Sequence, residues 1–262
     1  MGRLFDCAFV RRPSNSYVKC VSSNPDRDKI DVTLAKEQHR NYISILKECG
    51  VEVVELSPLE DFPDSVFMQD PGVLGKGCSV IGRFGEITRR GEEKALLGEL
   101  EKGRVAVGPP FIVHEPGTLE GGDIVVTEQE IFVGQSSRTN ADGARQLAGA
   151  LKQRKVIPLK TSLFHLLCGC AYLNNRTMII APDLLDQDSF LGFRFVTIPK
   201  EEVYATDALY LGDSRVMIPS GYPRARAKLE QAGYKPIEAD VSEFYKGDGG
   251  VTCLSSPIYK VF

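Results

Sequence analysis

Amphipathic helical stretches alternate along the chain with short apolar runs of strand character. "TLAKEQHRNYISILKECG" (33–50) carries Leu34, Tyr42, Ile45 and Leu46 near helical spacing, ends at Gly50, and leads into "VEVVEL". The same succession recurs in "GEEKALLGELEKG" (91–103) before "RVAVG", "NADGARQLAGALKQRK" (140–155) before "VIPLK", and "YPRARAKLEQAG" (222–233) before "YKPIEA". A weaker fifth helical unit is expected around "PKEEVYATDALYLG" (199–212). Between these units lie "GVLGKGCSVIGR", "GGDIVVTEQEIFVGQ", "AYLNNRTMIIAP" and "ALYLGDSRVMIPS". Each reads as two strands about a tight polar turn, with "NNR" and "GDSR" the clearest turn signals.

About five such units, with a period near 50, point to repeat architecture. No Pro/Ser-rich linker divides the chain, so residues 1–262 read as a single domain of about five strand–strand–helix–strand modules. A closed ring of these modules brings loops from distant parts of the sequence around one central pocket.

Composition narrows the function. The 262 residues are 42% hydrophobic and 26% charged, ordinary for a globular protein, and the net charge of −3 gives no reason to expect nucleic acid or an anionic membrane as partner. No apolar run approaches the roughly 20 residues that span a bilayer. The N-terminal stretch "MGRLFDCAFVRRPSNSY" has no apolar signal core, so a cytoplasmic location is expected. Seven widely spread cysteines then read as reduced thiols, and "CGC" (168–170) lacks the second pair or nearby histidine of a zinc site. No structural zinc site is expected from that spacing.

Ionisable groups stand at glycine-rich or strand-end positions in "PDSVFMQDPG" (63–72), "PGTLEGGDIVV" (116–126), "SLFHLLCGC" (162–170) and "DGGVTCLSS" (248–256). Each has a bland reading alone: Glu120 and Asp123 flank a Gly-Gly turn, Asp70 precedes a proline, and His165 lies in an apolar run. Together they supply what a cysteine nucleophile needs, namely a proton donor for the leaving group and a carboxylate to orient it. Of the three histidines, His39 reads as part of a solvated helix face. Spacing does not choose between His114 and His165.

"TLEGGDIVV", "FVGQSSRTN", "LFHL" and "GGVTCLSS", following "EQHRNYISILKECGVEVVELSPLEDFPDSVFMQD" in order, make the sequence resemble the dimethylarginine dimethylaminohydrolases of the guanidine-modifying (pentein) superfamily. The resemblance covers nearly the whole chain. It implies an α/β fold, a five-bladed propeller of ββαβ modules around an active-site channel, and a hydrolase that acts on a small guanidino amino acid and requires no cofactor or metal. By the same resemblance Cys253 is the nucleophile, His165 the general acid and base, and Glu120 the carboxylate that orients it. Asp70 grips the guanidinium, Arg89 and Arg138 hold the substrate carboxylate (Arg90 being an alternative to Arg89), and Asp64 lies near the amino end. Gln69 stands where the family usually carries Glu, and Pro71 where Val or Ala is usual. The first reading is hydrolysis of an Nω-methylated arginine to citrulline and methylamine or dimethylamine through a covalent Cys253 thiouronium; because Gln69 removes a charge beside the guanidinium, the same chemistry on free arginine or citrulline is the alternative. A catalytically silent homologue that binds an arginine analogue is the non-enzymatic reading. A homodimer is left open.

Overall fold

The computed structural model describes residues 2–262. The chain opens with β1 (Phe5–Arg11), crosses over through α1 (Val32–Glu48), and returns as β2 (Glu52–Leu56) parallel to β1. Asp31 starts α1 by accepting hydrogen bonds from the Thr33 and Leu34 backbone N–H groups, and Gly50 ends it at φ 77°. The second module pairs β3 (Gly72–Gly75) with β4 (Ser79–Ile81), then uses α2 (Glu92–Glu101) to reach β5 (Pro110–Ile112). The third has β6 (Ile124–Val126), β7 (Glu130–Gln135), α3 (Ala141–Ala150) and β8 (Lys155–Lys160).

The fourth module comprises β9 (Cys170–Asn174), β10 (Thr177–Ile180) and β11 (Arg194–Thr197). The fifth has β12 (Leu209–Gly212), β13 (Arg215–Pro219), α4 (Pro223–Gln231) and β14 (Lys235–Ala239). After a short α5 (Ser242–Tyr245), the last strand β15 (Ser256–Tyr259) runs antiparallel to β1 and completes the first module. In every module the two hairpin strands are antiparallel and the third strand is parallel to its neighbour. The turns "NNR" and "GDSR" hold Asn175, Arg176, Asp213 and Ser214 at φ between 47° and 62°, the left-handed pair that a right-twisted two-residue hairpin needs.

Two expectations need correction. "RVAVG" is not the strand after α2: β5 starts at Pro110, because Gly108 is pressed against the β3–β4 turn and donates to the Gly75 carbonyl at 2.7 Å. A Cβ on Gly108 would lie 2.2 Å from backbone atoms of Gly77 and Cys78, so pairing with β4 begins only past that contact. The weak helical unit at 199–212 is a 3-10 segment, Lys200–Thr206, followed by β12. Its buried Glu202 caps α4 instead, accepting from the Arg224 and Ala225 backbone N–H groups at 3.2 and 2.7 Å. The fourth module therefore crosses over without an α-helix, through a single 3-10 turn at Gln187–Ser189.

Strand β15 also runs parallel to β3, so it fastens the first module to the second. Ile258 on β15 is buried in a core with Phe9, Leu74 and Ile81. Ile258→Ala should destabilise the protein by about 2–5 kcal/mol in urea unfolding, as truncation in a core that cannot collapse does. A change under about 0.5 kcal/mol would mean that β15 is not a structural clasp.

Candidate active site

Between α5 and β15 the chain makes a tight loop carrying Cys253. A Cβ on Gly249 would come within 2.2 Å of the Phe67 ring, and one on Gly250 within 2.0 Å of Asp207 Oδ2. The Gly-Gly pair is thus a close-approach requirement that lets the loop reach the centre of the molecule. The loop is tied on both sides: Gln69 N donates to Cys253 O at 3.1 Å, and Thr252 N to Asp207 Oδ1 at 2.7 Å.

The second Gly-Gly pair works similarly. Gly121 packs on the Gln69 carbonyl, and a Cβ on Gly122 would meet His165 Nδ1 at 2.5 Å and Asp70 Oδ1 at 2.9 Å. These glycines let "EGGD" bring Glu120 against the histidine: His165 Nε2 lies 2.9 Å from Glu120 Oε2, both buried. Glu120 Oε1 accepts from Gly85 N at 3.0 Å. Asp123, which closes the motif, accepts from Leu166 N and from the Ser136 hydroxyl, and Ser136 Oγ in turn accepts from Arg138 N. One buried acid therefore sets both the His165 loop and the Arg138 loop.

Arg89 is buried and nearly saturated. Its Nη1 donates to Asp70 Oδ2 at 2.7 Å, its Nε and Nη2 to the Glu92 carboxylate at 3.0 and 2.9 Å, and its guanidinium lies over the Phe84 ring. Asp70 is left with Oδ1 buried and unpartnered among the described residues, 3.8 Å from His165 Nδ1. Arg138 is less committed, stacked on Phe164 at 4.4 Å and 3.5 Å from Glu86. Asp64 accepts from Val21 N through both oxygens, drawing the segment after Cys20 across the pocket.

Cys253, His165, Asp70, Asp64, Arg89 and Arg138 line one pocket, with Glu120 directly behind His165. Arg90 is exposed, and its Nε is bound to Phe84 O, so of the adjacent pair it is Arg89 that faces the site. Gln69 is not brought in: its Nε2 donates to Gly121 O at 3.2 Å and its side chain lines a separate interior cavity. His114 is exposed and away from the pocket. His39, expected on a solvated face, is buried beside Tyr42 and Phe244, and burial pushes its pKa down to about 4. The chain folds α5 over that face, which no helical periodicity in α1 reveals. Glu92 and Asp207 escaped the sequence reading because the first looks like an ordinary acidic helix start and the second an acid before a strand.

The electrostatics favour a charged histidine and a neutral thiol. Burial opposes charge on His165, but Asp70, the Glu120 hydrogen bond and Asp123 outweigh it and raise the pKa to about 9. Burial raises the Cys253 thiol well above its ordinary value, and Asp207 (Oδ2 3.8 Å from Sγ) and Asp70 push the same way. Asp70, Glu120 and His165 present atoms within 4.8 Å of one another, but Arg89 already supplies the cation on Asp70 and Glu120 holds His165 Nε2. That donor set fits an ion-pair network better than a metal.

Folding favours the imidazolium, so its stabilising contribution is complete below the ordinary His value of 6.5 and is lost as pH rises through about 9. Nuclear magnetic resonance titration of His165 should show this late midpoint, and Glu120→Gln should move it down. A midpoint near 6.5 in the unaltered protein would contradict the ion-pair geometry.

A family model for the eukaryotic N,N dimethylarginine dimethylhydrolases matches residues 11–260. An uncharacterized protein of Aeropyrum pernix is 42% identical, covering 99% of this chain and 97% of its own. The N(G),N(G)-dimethylarginine dimethylaminohydrolase of Pseudomonas aeruginosa is 38% identical over 96% of this chain and 99% of its own. The solved structure of a mutant of the Pseudomonas aeruginosa enzyme complexed with citrulline superposes with a TM-score of 0.91 at 35% identity, covering 98% of this chain and 100% of that one. The five modules, four of them ββαβ and the fourth with a 3-10 turn in place of its helix, are thus the pentein α/β propeller, and the chain belongs to the dimethylarginine dimethylaminohydrolase family.

Proposed function

We propose that the protein is a cysteine-dependent hydrolase that converts an Nω-methylated arginine to citrulline and methylamine or dimethylamine, acting as one catalytic domain in the cytoplasm. The observation that carries this reading is a single pocket holding Cys253, the His165–Glu120 pair, and Asp70 with one carboxylate oxygen free. The citrulline complex of the Pseudomonas aeruginosa relative supports the product.

The guanidinium of the substrate donates to Asp70 Oδ1, while Arg89 holds Oδ2 and so fixes the plane of the carboxylate. Asp64 accepts from the α-ammonium. Arg138, with donors to spare, holds the α-carboxylate; Arg89 has one uncommitted Nη1 N–H beside it. Arrival of a cation among Asp70 and Asp207 removes part of the penalty on the thiolate, so Cys253 is activated by its own substrate.

The Cys253 thiolate attacks the central guanidine carbon, forming a C–S bond and a neutral tetrahedral adduct. The His165 imidazolium gives its proton to the substituted nitrogen, whose C–N bond breaks, leaving a cationic thiouronium on Cys253. The thiol proton passes to solvent as the thiolate forms, and the amine takes one proton from solvent and departs as an alkylammonium ion. Neutral His165 then accepts a proton from water as the water oxygen attacks the same carbon. The second adduct collapses to citrulline, and the hydroxyl proton goes to the departing Cys253 sulfur. Glu120 stabilises each charged state of His165.

Purified protein should release dimethylamine from dimethylarginine, and Cys253→Ser should lower kcat by at least about 10³-fold while leaving the fold intact. Ureido product, ammonia and methylamines are to be assayed separately on dimethylarginine, monomethylarginine, arginine, agmatine and citrulline. Ammonia from arginine or citrulline, with dimethylarginine untouched, would overturn the substrate assignment.

A further inference from the structure

Beside the Cys253 pocket lies a second chamber of about 210 Å³ for which the reaction above has no use. Phe164, Tyr204, Tyr245, Cys168, Asp207 and Asp248 line it, and Phe164 and Asp248 are shared with the Cys253 pocket. The two spaces therefore adjoin, with Asp207 on the far side of the sulfur. Tyr204 and Tyr245 meet edge to face at 4.4 Å, and the Tyr204 hydroxyl is tied to Gly249 O, which directs its ring. Asp207 Oδ1 accepts from Thr252 N, whereas Oδ2 has only the 3.8 Å contact with Cys253 Sγ. Neither Asp207 nor Asp248 has a cationic partner among the described residues. Arg138 already covers a face of Phe164, but Tyr204 and Tyr245 with two carboxylates that no cation neutralises suit a small organic cation: the rings attract positive charge at their faces and accept methyl groups that water solvates poorly.

We propose that this chamber is a binding site for small methylated ammonium ions, and that it receives the amine as it leaves Cys253. The second half rests on the function proposed above; the first half does not. Ammonium carries the same charge but keeps its hydration shell and offers no methyl group to the rings, so the chamber distinguishes methylated amines from ammonia. Asp207 supplies the charge, and Tyr204 and Tyr245 the methyl contacts.

Ligand-observed nuclear magnetic resonance on the full chain, with dimethylammonium chloride and ammonium chloride as probes, needs no turnover. Dimethylammonium should bind about tenfold more tightly than ammonium, and Asp207→Asn and Tyr245→Ala should each weaken it about tenfold, the range of a desolvated cation–aromatic contact. Tyr245 is half-exposed, so its variant carries the test if Asp207→Asn does not fold. Equal binding of the two ions, or unchanged dimethylammonium binding in folded Tyr245→Ala, would overturn the proposal. A protein that binds dimethylammonium through these residues yet leaves dimethylarginine intact would keep the site and refute the function, so the two ideas fail separately.

Discussion

The buried guanidinium of Arg89 is the interaction on which the rest of the site depends. It is clamped by Asp70 and Glu92 and donates to two backbone carbonyls, those of Asp64 and Phe67, in the loop that carries Asp70. Removing one partner from such a pair leaves an uncompensated buried charge, typically about 3–5 kcal/mol. Because one Asp70 oxygen is held by Arg89, the other is held in direction without being satisfied. A buried carboxylate oxygen without a hydrogen-bond donor is unfavourable in the resting protein and becomes favourable when a donating cation arrives. Some stability is thereby given up for recognition.

The same charge balance governs the Cys253 thiol. Three acids, Asp70, Asp123 and Glu120, bias His165 toward the imidazolium, while Asp207 and Asp70 bias Cys253 toward the thiol. A thiol held protonated in this way is poorly reactive toward neutral electrophiles that wander into the pocket. The field that suppresses it also attracts cations, so in the proposed reaction selectivity and activation share one cause.

Geometry reaches the site through glycine. Gly121, Gly122, Gly249 and Gly250 each stand where a Cβ would strike backbone or a site side chain, and none of the four has a positive φ. Their role is clearance, not turn-making. Two loops from different modules can therefore approach within hydrogen-bonding distance, Gln69 bridging them by donating to Cys253 O through its backbone and to Gly121 O through its side chain.

Local chemistry in the sequence determined the modules: alternation and turn residues set the hairpins, and helical periodicity with its caps set α1, α3 and α4. It also marked the acid–Gly–Gly–acid and Gly-Gly–Cys segments, because unusual residue types at strand ends are visible without a fold. The sequence could not decide which groups share a pocket, since that depends on contacts between residues far apart in the chain. Gln69 and Asp70 are neighbours in sequence, yet one faces the Cys253 pocket and the other an interior cavity. His39 has the pattern of a surface residue and lies under α5, and Asp207 reaches the sulfur only because the fifth module folds beside the last loop. Helix and strand patterns come from interactions a few residues apart; the charge state of a thiol comes from everything within several ångströms of it, and only the tertiary structure assembles that environment.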